Sequence, residues 1–275
     1  MVPQIDTLII DVYQFLKEKK PWSTPEIKFN ETTRVPNLSL SQMGPRCPCA
    51  LWHSVNKPEL AEALPPQALF KYNYGHMIEA SAIVLAKKAG HTVTGEQGHV
   101  VVDGISGHRD CVIDGCIVDV KSTSSYGFQK FKDGSIRVDD SFGYLDQLDG
   151  YLVGSLEDPT VTVKDKAYLW GIDKTLGHMV LYEHTIREER IRTRIREYKR
   201  IVSLAHAPQC NCQTQPEGKS GNVRLDTKAS YNTFKYCCFP NLRTFLYANG
   251  PVYLTKVVRK PDVTEVDRYG KIVYN

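Results

Sequence analysis

Asp110, Asp119 and Lys121 are the side chains of this chain best suited to chemistry. The two carboxylates are nine positions apart, and the lysine follows the second by two. Hard divalent cations such as Mg²⁺ and Mn²⁺ take carboxylate and water oxygens as ligands. A cation held by Asp110 and Asp119 would polarise a phosphate ester and lower the pKa of a bound water. The Val120 carbonyl is an additional candidate ligand. Lys121 would position that water or stabilise charge developing on the phosphate. A lysine beside two carboxylates stays protonated, which favours an electrostatic role over that of a free general base.

The surrounding elements must bring these groups together. Residues 106–113 and 116–120 are apolar or alternating, with Asp114-Gly115 between them, a strong hairpin signal. Asp110 then lies on the first strand. Asp119 and Lys121 lie on one face of the second, with Val120 on the other. Upstream, residues 68–89 read as a helix from Ile78, Ala82, Leu85 and Ala86, closed by Gly90. Glu79 shares a face with Gly75 and lies three after His76. Glu79 is a further candidate metal ligand, and His76 an additional one. Residues 142–153 read as another helix, on which Gln147 and Tyr151 project together. The amide can bond a phosphate, a base or a metal-bound water; the phenol can stack or donate to phosphate.

The ordered set GxxxE (75–79), GHxD (107–110), DxK (119–121) and QxxxY (147–151) resembles the PD-(D/E)xK nucleases of the RecB, AddB and CRISPR-adaptation type, which include phage-encoded exonucleases. The resemblance covers residues 47–153 and extends towards 257. DxK alone is commonplace and on a lone strand marks a solvated edge; the four motifs in order are far more specific. The resemblance implies a metal-dependent DNA exonuclease using Mg²⁺ or Mn²⁺. Glu79, Asp110 and Asp119 would hold metal, Lys121 would stabilise the transition state, and Gln147 and Tyr151 would position DNA that is single-stranded or has single-stranded ends. Two other functions stay open: a structure-specific endonuclease, and a catalytically weak nucleic-acid-binding phage accessory protein. A homo-oligomer or a recombination partner protein is compatible with all three.

Several residues have an ordinary reading beside the functional one. His108 reads as structural, and Gln97 lies on a strand within reach of the site. The chain carries 35 Lys and Arg against 31 Asp and Glu, a net charge of +4, which permits a polyanion partner without demanding one. Residues 187–200 hold seven basic side chains on a helix whose apolar face is Ile191, Ile195 and Tyr198. Such a helix is either a solvated cover for the sheet or a phosphate-contacting ridge, with Arg190 and Arg194 as candidates. Residues 123–141 read as a loop over the site, whose Phe128, Lys130, Phe131 and Lys132 suit stacking on single-stranded bases.

No apolar run is long enough to span a membrane, and the N-terminus lacks the pattern of a signal peptide. A cytoplasmic location is expected, the host cytoplasm for a phage protein. On that footing the sequons at Asn30 and Asn37 carry no meaning. Gly218-Lys219-Ser220 lacks the upstream glycine of a P-loop and reads as a loop.

Eight cysteines fall at 47, 49, 111, 116, 210, 212, 237 and 238. Cys111 and Cys116 flank the hairpin and read as small core residues. Without a secretory route a disulfide framework is not expected. Relatives implied by the resemblance hold a [4Fe–4S] cluster with one leading cysteine and a trailing C-x2-C-x5-C. Cys47 fits the leading position and Cys238 the last, but Ala229 and Asn232 occupy the other two. The expectation is a clasp that keeps its shape without the cluster. A rebuilt Zn²⁺ site drawing on Cys47 or Cys49 with Cys210, Cys212, Cys237 and Cys238 is the alternative.

The expected organisation is an N-terminal helix and leading-cysteine segment (1–67), a nuclease core (68–202), and a C-terminal clasp and tail (203–275). The expected fold is α/β, a restriction-endonuclease-like mixed sheet flanked by helices.

Overall fold

The computed structural model describes residues 4–24, 36–64 and 66–274. Asn30 and Pro25 lie outside the described residues. The chain divides into two compact units that alternate along the sequence. The first comprises Met1–Thr33, Leu38–Pro45 and Pro66–Ile195; the second comprises Arg34–Asn37, Arg46–Pro65 and Arg196–Asn275.

The first unit is a mixed α/β layer structure. In chain order it holds α1 (Leu8–Lys17), α3 (Pro66–Lys88), β1 (Val93–Thr94), β2 (Gly98–Val102), β3 (Ile105–Arg109), β4 (Cys111–Ile113), β5 (Cys116–Thr123), α4 (Ser125–Asp133), α5 (Tyr144–Val153), β6 (Lys166–Asp173) and β7 (Met179–Thr185). The helix α6 (Glu188–Val202) begins in it; α2 (Pro48–Asn56) belongs to the second unit. Five strands form one sheet in the order β1-β4-β5-β6-β7. Its pairings are antiparallel except β5 with β6, which run parallel. β2 and β3 form a separate antiparallel ribbon.

Alternation along the strands sorts side chains between two helical layers. Val118 and Val120 of β5 and Tyr168, Trp170 and Ile172 of β6 join one core with Leu8, Val12 and Phe15 of α1 and Ala82, Ile83, Leu85 and Ala86 of α3. The intervening residues face the other way, towards α4 and α5, which pack on β5, β6 and β7. Gly171 belongs to that second face: a Cβ there would lie 2.3 Å from the Phe131 ring of α4, so the missing side chain is what seats that helix. Asp114 and Gly115 both take positive φ, +50° and +80°, as the expected tight hairpin requires.

Three sequence expectations change here. The strand expected over 106–113 is broken at Asp110: β3 ends at Arg109 in the ribbon, and β4 starts at Cys111 in the main sheet. Within the segment expected to be a loop, Ser124 accepts from the Gly127 N–H and caps α4, which Gly134 closes in the left-handed conformation. Phe128 and Phe131 are buried beneath that helix and so are not available to stack on bases. The strand expected to carry Gln97 starts one residue later, and Gln97 itself is left-handed, φ +51°.

The second unit carries an antiparallel sheet of β8 (Thr214–Glu217), β9 (Asn222–Leu225), β10 (Arg243–Tyr247), β11 (Gly250–Lys256) and β12 (Glu265–Val266), in the order β12-β10-β11-β9-β8. Two one-turn helices, α7 (Thr227–Ser230) and α8 (Lys235–Cys238), lie between β9 and β10. Gly218-Lys219-Ser220 is the turn joining β8 and β9. Among the described residues no helix is long and apolar enough to cross a membrane.

Candidate active site

The face of β5 that looks towards α4 and α5 carries Asp119 and Lys121. Asp119 is 1% exposed. The Lys121 ammonium lies 2.6 Å from Asp119 Oδ2. Oδ2 is held by this ion pair, while Oδ1 is buried with no hydrogen-bond partner among the described residues. A buried carboxylate oxygen left unbonded is costly unless something else satisfies it. Burial pushes the Asp119 pKa up, against the pull of Lys121. Burial alone would lower the Lys121 pKa, but the charges of Asp119 and Asp110 outweigh it and push it up, so the ammonium is retained. Lys121 also sits 5.2 Å from the centre of the Tyr144 ring.

Asp110 enters from the strand break. Its Oδ2 accepts from the Val120 N–H at 2.8 Å. Burial first, then the charge of Asp119, raises its pKa well above the ordinary carboxylate range. Glu79, half-buried on α3, comes next: Gln97 Nε2 donates to its Oε1 at 2.6 Å, and His76 Nδ1 lies 3.7 Å from its Oε2. Burial raises the Glu79 pKa, His76 opposes it, and Asp119 adds to it. Burial, and for Asp110 and Glu79 the charge of Asp119, disfavours ionisation of three carboxyls gathered around one lysine, a strain that a bound cation would relieve. They are not drawn into a tight cage: among the described residues, the group whose ligand atoms all lie within 4.8 Å of one another is made of cysteines.

Gln147 and Tyr151 stand one turn apart on α5, and the amide donates to the phenol oxygen at 2.6 Å. Burial pushes the Tyr151 pKa up to about 12, so the phenol keeps its proton. Gly107 explains how the ring fits: a Cβ there would meet Leu40 Cβ at 2.8 Å and Tyr151 Cε1 at 3.1 Å. Gly75 has no such packing reason, because nothing lies within 4 Å of the place its Cβ would take. His108 is exposed on the ribbon, 5.3 Å from its cross-strand partner His99.

The basic candidates are placed less simply. Arg190 Nε donates to Asp146 Oδ1 at 2.8 Å, and Arg194 lies 3.6 Å from Asp146 Oδ2. Both therefore compensate a buried carboxylate of α5. Lys130 pairs with Asp139 and lies over the exposed Tyr126 ring, while Lys132 is exposed. Sequence reasoning passed over Arg109, which is 3% exposed and bonds Ser155 and Asp158. Its guanidinium occupies the space a Cβ at Gly95 or Gly98 would need. Tyr144 was also missed; its position on the helix, three before Gln147, is a signal that could have found it.

In the second unit, Cys47, Cys210, Cys212 and Cys238 converge. All four stood among the sequence candidates for a rebuilt zinc site, whereas Cys49 and Cys237 did so without joining the group. Ala229, at one expected cysteine position, is buried against Leu225 and Leu242. Asn232, at the other, donates to the sulfurs of Cys212 and Cys238 at 3.6 and 3.7 Å. Cys49 and Cys237 stay outside the group, Cys49 lying 3.5 Å from His53. Cys111 and Cys116 are buried in the core of the first unit.

No protein-family model and no curated protein matches the chain. Similar solved structures include an alkaline exonuclease (LHK-Exo) from Laribacter hongkongensis, at 14% identity and TM-score 0.38, over 62% of this chain and 91% of that one. LHK-Exo in complex with dAMP matches at 13% identity and TM-score 0.41, over 62% and 87%. The crystal structure of SSO0001 matches at 15% identity and TM-score 0.43, over 86% and 98%. These superpositions are loose, and the case for the site rests on its side chains.

Proposed function

We propose that this chain is a Mg²⁺- or Mn²⁺-dependent DNA exonuclease with the site Glu79, Asp110, Asp119 and Lys121, assisted by Gln147 and Tyr151. One observation carries the reading: Asp119 is buried with one oxygen on Lys121 and the other unbonded, close to two further carboxyls with raised pKa values. That donor set fits a hard divalent cation and suits no apolar ligand. Glu79, Asp110, Asp119 and the Val120 carbonyl would hold the ion, with His76 at the margin.

A bound ion there supplies charge on the scissile phosphate and a water of lowered pKa. The protein does the rest. Lys121 keeps its proton and faces the charge that develops on the phosphate oxygens. Gln147 gives its amide hydrogen to Tyr151, which leaves the Tyr151 O–H to donate to a phosphate. Gln97 fixes the rotamer of Glu79. The exposed Tyr126 and Lys132 on α4 offer a ring and a charge to a single-stranded end.

The test is cleavage of end-labelled linear DNA, single- and double-stranded, beside closed circles, with Mg²⁺, Mn²⁺ or EDTA. The expected result is metal-dependent loss of linear DNA alone, reduced at least ~10²-fold in Asp119→Ala and Lys121→Ala. Cutting of circles would make the protein an endonuclease. Tight binding without cutting would make it an accessory protein, and full activity in either variant would overturn the site.

A further inference from the structure

Four thiols of the second unit meet at one point. Cys47 precedes α2, Cys210 and Cys212 lie beyond α6, and Cys238 ends α8. All four sulfurs lie within 4.8 Å of one another; Cys47 is 3.6 Å from Cys210 and 3.8 Å from Cys238.

The spacing discriminates between cysteine-held centres. A tetrahedral zinc ion with Zn–S bonds of about 2.3 Å has its ligand sulfurs about 3.8 Å apart, because a tetrahedron's edge is about 1.63 times its centre-to-corner distance. In a [4Fe–4S] cluster each thiolate binds a different iron, so iron and sulfide ions lie between the cysteine sulfurs and hold them much farther apart. The observed separations match the first case and leave no room for the second. A disulfide uses two sulfurs and gives no reason for the other two to converge.

The surroundings suit bound thiolates. The Asn232 amide donates to two of the sulfurs, and the Cys212 N–H donates to Cys210 Sγ at 3.4 Å. Such donors orient metal-bound sulfur and spread its charge.

We propose that Cys47, Cys210, Cys212 and Cys238 bind a single Zn²⁺ ion as a closed tetrathiolate site that stabilises the second unit. All four positions are filled by protein, as in structural rather than catalytic zinc sites. The site is independent of the nuclease reading and stands or falls apart from it.

The deciding measurement is metal and acid-labile sulfide content of the full chain, purified without oxygen from cells supplied with both zinc and iron. The expected result is about one zinc per chain, no sulfide, and a tetrahedral thiolate spectrum after exchange with Co²⁺. Cys212→Ser should lower the zinc content several-fold and abolish that spectrum, while Cys237→Ser should leave both unchanged. Should Cys212→Ser fail to fold, alkylation of the native protein decides: four thiols should become reactive only after chelation. Iron with sulfide, a disulfide with no metal, or zinc content untouched by Cys212→Ser in a folded protein would each overturn the proposal.

Discussion

The Asp110 carboxylate accepts a 2.8 Å hydrogen bond from the Val120 backbone N–H. β4 starts at Cys111 opposite Val118, so its ladder with β5 ends short of Val120, and the Asp110 side chain takes up the next amide. One carboxylate oxygen is thereby tied to β5, the strand carrying Asp119 and Lys121. The break between β3 and β4 is thus part of the proposed site, since an unbroken strand would keep residue 110 in a backbone ladder.

Gln97 separates metal binding from stability. It is left-handed and donates to Glu79. Gln97→Gly removes the amide from Glu79 but suits the backbone, so stability should stay within about 1 kcal/mol of the parent. Mn²⁺ affinity, read by calorimetric titration, should fall roughly 10–100-fold as expected for loss of a group that orients a ligand. Unchanged affinity would remove Gln97 from the site.

Gly75 should respond the opposite way. A glycine inside a helix with open space above it weakens the helix and leaves bare backbone beside Glu79. Gly75→Ala should raise stability by roughly 0.5–1 kcal/mol and weaken DNA binding in a gel-shift titration. Tighter folding with equal DNA affinity would show that the bare backbone has no part in binding.

The buried acid of α5 tests the support beneath the site. Asp149 is 1% exposed and accepts from His184 Nε2 at 2.7 Å, from the Arg187 N–H at 3.0 Å and from Arg187 Nε at 2.8 Å. Asp149→Ala strands those donors and should cost about 3–5 kcal/mol in urea denaturation.

Asp158 gives a pH signature. The Thr160 hydroxyl, then Arg109 and the Thr160 amide, hold its pKa down at about 2 against the effect of burial. A carboxyl whose folded pKa is lowered adds stability above its unfolded value and loses it as pH falls through the folded one. Compared with Asp158→Asn, the parent should be more stable by a constant margin above pH ~5, and the margin should shrink between pH ~4 and ~2. A margin independent of pH would show that the carboxylate charge plays no part.

What the sequence disclosed follows from what is local. Glu79, Asp119, Lys121, Gln147 and Tyr151 sit on regular elements whose period places them, so their faces were legible. Asp110 was legible as a residue but not as a break, because the apolar alternation runs on from β3 into β4 while the pairing partners change. The α4 segment read as a loop from its glycines and lysines. The Ser124 cap and the Phe128/Phe131 spacing were present, but the sheet that buries those rings depends on Gly171, some forty residues later. Cys210 and Cys212 carried no recognisable spacing, because their partners are brought together only by the folded chain.

Cys47 and Cys238 are separated by 191 positions, and the group they close includes residues 210 and 212. A chain made from its N-terminus at about 5–20 residues per second leaves Cys47 waiting roughly 10–40 s for its last companion. For most of that interval the group is incomplete, since Cys210 and Cys212 are themselves made only shortly before Cys238. Completion of the group is therefore a late event in biosynthesis, and until then Cys47 lacks the partners that would make it part of a site.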